Sequence, residues 1–338
     1  MWVVHAWPEV PEGEDVITEE ANVAPEHRAE PPPKGPLDLP KASWWGALKR
    51  TVREFRADNL SDWAAALTYY GVLALAPALL ALVSIIGLIG PSAIDPLIDN
   101  VATLAPGAVQ DVLETVLRDL GHRRGQATVA LVVGIALALW SASGYIAAFM
   151  RASNAVYDIG EGRPIWKTLP VRLAVTVTLV VLLALVAVGV VFTGALARRA
   201  GDVLGVGGTA VTVWNFAKWP VLVILVALIT AVLYWAAPNV KHGFRWITPG
   251  SLLAVLVWLA ASALFAWYVA ALGSYGSTYG SLATIIVFLV WLWISNLALL
   301  LGLEFDAELE RARAIETGHP PGEEPYAEPR DTRKLDDD

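Results

Sequence analysis

Six apolar runs decide what this chain can become. They lie at about 64–89, 127–150, 173–197, 219–236, 247–272 and 280–303, and none has a Lys, Arg, Asp or Glu in its interior. Each is about as long as a helix needs to cross a bilayer core, roughly 20 residues. Buried helices of a large soluble protein are a poor alternative, because six such runs would need amphipathic partners to cover them. In lipid a backbone must satisfy its own hydrogen bonds, so runs of this length are expected as helices. The expected fold is all-α: a polytopic six-helix transmembrane bundle with amphipathic helices at its interfaces.

Charge is sparse and sits at the ends. Only 17% of the 338 residues are charged, against roughly 25% in soluble domains. Residues 1–40 hold nine acids and two bases, and 316–338 hold eight and three, so the net charge of -8 belongs to the tails and the body is +4. Both tails are expected to be disordered, acidic and cytoplasmic, flanking a transmembrane domain at 41–315. The first 20 residues lack the basic start and apolar core of a signal peptide. From an N-inside start, 13 Lys/Arg near the spans fall inside and six outside, which puts both termini in the cytoplasm.

The connecting segments add detail. In KASWWGALKRTVREFRADNLSDW, 41–63, an apolar stripe of Trp44, Trp45, Leu48, Val52 and Phe55 runs beside Lys49, Arg50, Arg53 and Arg56, the pattern of a helix lying on anionic headgroups. The outer loop 90–126 has two short amphipathic stretches, expected on the surface or as a cap. GSYGSTYGS, 273–281, is expected as a tight outer turn. In it Tyr275 and Tyr279 sit at the interface or, with the serines, line the mouth of a cavity.

Several residues are candidates for a path through the bundle. Pro77 should kink the first span, as happens at transporter sites and also in bundles without a substrate. Trp140 and Ser141 bring polar groups to membrane depth in the second span, and a lateral groove lined by Trp140, Ser141, Tyr69 and Tyr275 would count against a scaffold without a substrate path. Arg151 and Asn154 follow near the inner surface, where Asp62 and Glu304 also lie. Arg151 either pairs with Asp62 or Glu304 or snorkels to the interface. Glu308 and Arg311, at i,i+3, suggest an exposed face on the continuation of the last helix.

Three segments carry a family resemblance: DNLSDWAAALTYYGVLALAPALLALVSIIG, LWSASGYIAAFMRASNAVYD and GSYGSTYGSLATIIVFLVWLWISNLALLLGLEFDAELE. They resemble signature segments of the YihY/BrkB family of bacterial inner-membrane proteins, and the resemblance covers about 41–315. It implies a six-helix protein of the cytoplasmic membrane, linked to envelope integrity and discussed in connection with lipid transport. Some members also carry a ribonuclease BN label.

Nuclease chemistry is not expected. The histidines His5, His27, His122, His242 and His319 are scattered, without HxH or HxxxH spacing, and there is no concentrated basic groove. With no cysteine, thiolate sites are excluded. No cofactor, metal or nucleic-acid partner is expected. Two functions remain open: a transporter or translocase of lipid or another amphiphile, and a non-transporting scaffold binding other envelope membrane proteins. Membrane lipids are partners in either case.

Overall fold

The computed structural model describes residues 38–89, 124–191, 208–271 and 281–335. Seven helices account for most of them: α1 (Lys41–Ala57), α2 (Leu60–Ile89), α3 (Arg124–Val156), α4 (Ile165–Val191), α5 (Gly208–Ala236), α6 (Pro249–Ala271) and α7 (Ser281–Glu316). The only β-bridge among the described residues joins Val240 and Pro329. The chain is an all-α, multi-pass membrane protein. Among the described residues five helical stretches are long and apolar enough to cross a membrane: Val132–Val156, Ile165–Val186, Thr212–Ala236, Pro249–Ala271 and Ile285–Glu316. α2 is helical across the first expected span but is not among the five, so the sixth crossing rests on the sequence.

The outward surface has the chemistry of a lipid-facing one. Leu137, Val177, Ile224, Leu256, Leu264 and Ile285 are each 41% or more exposed, in five different helices. Apolar area on this scale, contiguous in water, would drive association; in a bilayer it is the ordinary outer surface.

Among the described residues a core cluster gathers at one end of the helices. It joins the starts of α2 (Leu60, Ala64, Leu67) and α4 (Val175, Leu179) to the ends of α3 (Phe149, Ala152), α5 (Leu233, Tyr234) and α7 (Leu300, Leu303). Ala254, early in α6, belongs to the same cluster. Starts and ends meeting at one level mean that α2 to α7 alternate in direction. This end holds the segments expected inside the cell, and we call it the basal end.

α7 organises the basal end by touching α1, α2, α3 and α6. At 36 residues it is about 54 Å long, well beyond a roughly 30 Å hydrocarbon core. Its charged last turns therefore run on past the membrane. α1 packs on that extension through Ala47, which clusters with Phe305, Leu309 and Ala312. Arg50 forms an ion pair with Glu308, whose side chain is only 4% exposed. The acids of the last helix are thus not an exposed face: Arg50, 258 positions away, is the partner that the i,i+3 spacing with Arg311 did not reveal. Trp45, Leu48 and Val52 remain exposed on the other side of α1, available to headgroups.

Residues 317–335, whose composition suggested a disordered tail, are docked. Lys241 N–H donates to Glu328 O and Arg330 N–H to Asn239 O, each at 2.8 Å. Asp331 accepts from Lys167 at 2.8 Å, and the Arg330 guanidinium lies 5.7 Å from the centre of the Trp235 ring.

At membrane depth a polar chain ties three helices. Tyr145 Oη (α3) donates to Asn296 Oδ1 (α7) at 2.9 Å, and Asn296 Nδ2 donates to Thr68 Oγ1 (α2) at 3.1 Å. Asn296 is 2% exposed, so every lost bond leaves a buried group unpaired. Asn296→Leu is expected to cost about 1–2 kcal/mol, read as a lower apparent Tm in detergent. An unchanged Tm would show that the chain is dispensable.

Candidate functional site

A cavity of about 230 Å³ opens at the basal end, bounded by the end of α5, the 237–248 linker, the start of α6 and the extension of α7. Each element contributes a different chemistry. The linker, held by its bridge to the C-terminal segment, supplies Lys241, His242 and Arg245. α7 supplies Asp306, Glu310 and Arg313, spaced so that they share one face of the helix. Tyr157 and Tyr234 line the wall.

Asp306 is fixed by the helix beside it. Its Oδ1 accepts from Gly250 N–H at 2.7 Å, at the start of α6, where exposed N–H groups and the helix dipole favour a carboxylate. Its Oδ2 is buried without a hydrogen-bond partner.

The cationic side is more open. Lys241 pairs with Glu328 at 2.9 Å, with both side chains more than 60% exposed, a weak contact in water. Arg313 reaches Glu310 at 3.5 Å. Arg245 is exposed and joins no ion pair among the described residues. Burial pushes the His242 imidazole below its ordinary value, and the charges of Arg330 and Arg245 push the same way, against a backbone hydrogen bond and Glu310. Its neutral form is favoured at pH 7, which leaves the fixed positive charge to Lys241, Arg245 and Arg313.

Aromatic side chains flank the mouth. Trp235, Phe244 and Trp246 stack edge-on at 5.5 and 5.4 Å between ring centres. Trp246 and Ile247 are 67% and 69% exposed. Exposed aromatics beside basic residues at the end of a span are the composition of a membrane interface.

The candidates from the sequence are dispersed around this site rather than in it. Asp62, Trp140 and Arg151 are exposed, Ser141 is half-buried, and Asn154 and Glu304 are buried. Among the described residues no ion pair joins Arg151 to Asp62 or Glu304. Tyr69 lines an apolar lateral groove of about 420 Å³ between α2 and α7, with Thr68, Leu289 and Trp293. Trp140 and Ser141 do not line that groove. α2 continues as a helix through Pro77. Tyr275 and Tyr279 lie outside the described residues. His242 appeared in the sequence only as part of a short basic loop; the signal that could have raised it is the clustering of Lys241, His242 and Arg245 beside Phe244 and Trp246.

Comparison with known proteins matches residues 51–327 to the family described as Virulence factor BrkB. The chain belongs to that family. Among relatives of this BrkB protein, a ribonuclease-like protein of Bacillus subtilis (strain 168), YfkH, is 30% identical over 282 residues, 82% of this chain and 98% of that protein. A UPF0761 membrane protein of Alkalilimnicola ehrlichii is 30% identical over 290 residues, but the match spans 60% of its length. One of Mannheimia succiniciproducens is 36% identical over 88 residues, 31% of its length. No solved structure matches the chain. The BrkB match runs from α1 to the docked C-terminal segment, so it includes every element that builds the basal cavity.

Proposed function

We propose that this protein moves an amphiphile, a phosphate-bearing lipid in the first instance, and that the basal cavity takes the headgroup. The observation that carries this reading is the cavity itself: three cations and a buried, unpartnered carboxylate oxygen in one recess, with membrane-interface aromatics at its mouth. Lys241, Arg245 and Arg313 suit a phosphate, and Asp306 suits an ammonium or hydroxyl donor on the same headgroup. Its volume holds a headgroup while acyl chains stay in the bilayer beside Trp246 and Ile247. The setting is the bacterial inner membrane, with both termini and the cavity cytoplasmic, in keeping with the excess of basic residues on that side. A role in envelope integrity follows from moving envelope lipids.

No hydrolytic chemistry is proposed. The name of YfkH raises a ribonuclease reading, but among the described residues no group of three or more His, Asp or Glu is placed to hold a metal ion, and the basic residues form a recess rather than a groove along a nucleic-acid backbone.

The scaffold reading keeps one observation in its favour. α6 is the least covered span, with 6% of its apolar window buried against 22–28% in the others, leaving a face for lipid or for another membrane protein.

Headgroup-labelled lipid in liposomes separates the two. Wild type is expected to move the label faster than empty vesicles, and Lys241→Ala/Arg245→Ala to be slower by about tenfold or more, the loss of one to two charge-assisted contacts. Loss with Arg151→Ala alone would move the headgroup path to the basal end of α3. No movement above empty vesicles, with the fold intact, would discard translocation in favour of the scaffold.

A further inference from the structure

The basal cavity carries charges of both signs, and their pairing bears on which headgroup fits. Of its three lining cations, two come with a carboxylate. Arg313 reaches Glu310 at 3.5 Å, both on the extension of α7. Lys241 reaches Glu328, on the C-terminal segment, at 2.9 Å. Arg245 is exposed and joins no ion pair among the described residues.

Glu328 stands beside the cavity for a backbone reason. The bridge between Val240 and Pro329 lays the C-terminal segment along the linker, and Lys241 N–H donates to Glu328 O at 2.8 Å. The segment is anchored on both sides of Glu328. Before it, Ala327 packs with Val240 and Ile159 in a small buried cluster. After it, Arg330 N–H donates to Asn239 O at 2.8 Å, and Asn239 Nδ2 donates to Asp331 O at 2.8 Å. The Arg330 guanidinium is engaged by carbonyls, Nη2 on Trp235 O at 2.9 Å and Nε on Val240 O at 3.2 Å. The backbone therefore keeps Glu328 next to Lys241, while its side chain is 70% exposed and can change partner.

Ion pairs this exposed are weak, so a ligand can open them. What it leaves behind depends on its own charges. A purely anionic headgroup that takes Lys241 or Arg313 leaves Glu328 or Glu310 unpaired beside a new negative charge. Asp306, fixed by Gly250 N–H, adds to that repulsion. A headgroup with both a phosphate and an ammonium exchanges each opened pair for two, phosphate on the cation and ammonium on the carboxylate. In an ethanolamine phosphodiester two carbons separate the charges, so they can meet neighbouring charges of opposite sign.

We propose that the cavity selects zwitterionic headgroups, a phosphodiester carrying an ammonium as in an aminophospholipid, and that Glu328 is the residue that disfavours purely anionic ones. This rests on the headgroup reading of the cavity and names the class of headgroup. Arg245 and Lys241 hold the phosphate, and Glu328 holds the ammonium. The selectivity comes as much from the repulsion built against the wrong headgroup as from contacts to the right one.

Binding of short-chain lipids to the full-length protein in detergent, measured by native mass spectrometry, tests this. The probes are dihexanoyl phosphatidylethanolamine, which is zwitterionic, and dihexanoyl phosphatidylglycerol, which is anionic. Their acyl chains are the same, so the ratio of affinities reads the headgroup alone. Wild type is expected to bind the ethanolamine lipid about two- to fivefold more tightly, the scale of one exposed ion pair. Glu328→Gln removes a charge and keeps the backbone bond to Lys241, so it should bind the glycerol lipid more tightly by about the same factor and lose the preference. Glycerophosphoethanolamine, the same headgroup without acyl chains, should bind more weakly than the ethanolamine lipid; equal binding would overturn a lipid as the ligand. Wild type that binds the glycerol lipid as tightly as the ethanolamine lipid would overturn the selectivity and leave the headgroup reading standing. A preference unchanged in Glu328→Gln would overturn the role of Glu328. Binding of neither lipid would remove the headgroup reading and this inference with it.

Discussion

Gly302→Val is expected to open the α6–α7 crossing and lower the apparent Tm by roughly 4 °C, as follows from about 3 kcal/mol of overpacking in a chain of this size. The two helices meet backbone to backbone. A Cβ on Gly302 would lie 2.6 Å from Ala254 Cβ and 2.6 Å from Tyr234 Oη, and would also run into Gly250 O. From the other side, a Cβ on Gly250 would meet Gly302 O and lie 2.5 Å from Asp306 Cγ. None of these neighbours is the free end of a flexible side chain. Relief has to come from separating the helices, which would break the Gly250–Asp306 hydrogen bond and strain the one from Tyr234 Oη to Leu299 O. The basal cavity would lose its fixed carboxylate in the same step. Gly243→Ala is the control, since nothing lies within 4 Å of a Cβ there; its Tm should stay within about 1 °C of wild type. Equal Tm values for Gly302→Val and wild type would show that the helices do not cross as closely as described.

The spans were legible because lipid imposes a simple rule: about 20 residues, apolar, without interior charge. Their ends were less so, since charge marks where a helix leaves the bilayer and does not stop it. The run expected at 280–303 is the first part of a helix that continues to Glu316, and the run expected at 173–197 begins earlier, at Ile165, with Pro170 inside the helix. The close crossing was hidden as well: Gly250 and Gly302 sit in unremarkable contexts, and only their proximity gives them meaning. The basal cavity draws on Tyr157, Tyr234, Lys241 and Asp306, which no local spacing links. The C-terminal segment misled for a physical reason. Acidic, proline-rich composition predicts disorder when a chain has nothing to pair with, but here Glu328 meets Lys241 and Asp331 meets Lys167. Glu304 was visible as an acid at the end of a span; that it is buried, with no ion pair to Arg151 among the described residues, was not.

Arg163→Ala is expected to cost about 2–3 kcal/mol, below the fully buried case because Glu161 keeps 29% exposure. Arg163 is 3% exposed. Its Nε and Nη2 each donate to a different Glu161 oxygen at 2.7 Å. Its Nη2 also donates to Ala237 O at 2.8 Å and its Nη1 to Ala236 O at 3.3 Å, so a cation closes the C-terminal end of α5, where the helix dipole favours it. Glu161 in turn accepts from Asn154 Nδ2 at 3.0 Å, and Asn154 Oδ1 accepts from Asn239 N–H at 2.7 Å. One guanidinium therefore holds the α3–α4 linker to the start of the 237–248 linker that forms the cavity. Arg163→Lys should lie between wild type and alanine, because an ammonium cannot make the paired fork. The pH dependence gives a second check. Burial alone would raise the Glu161 carboxyl, but the hydrogen bonds and charge of Arg163 outweigh it and hold the carboxyl below its ordinary value. A lowered carboxyl stabilises the fold above its unfolded value, and that contribution is lost as pH falls through the folded value. In Arg163→Ala only burial and Asn154 remain, so acid relieves the variant while it weakens the wild type. The Tm gap between them should narrow as pH falls from neutral into the carboxylate range. A gap that stays constant, or widens, would mean that Glu161 is not the group Arg163 holds.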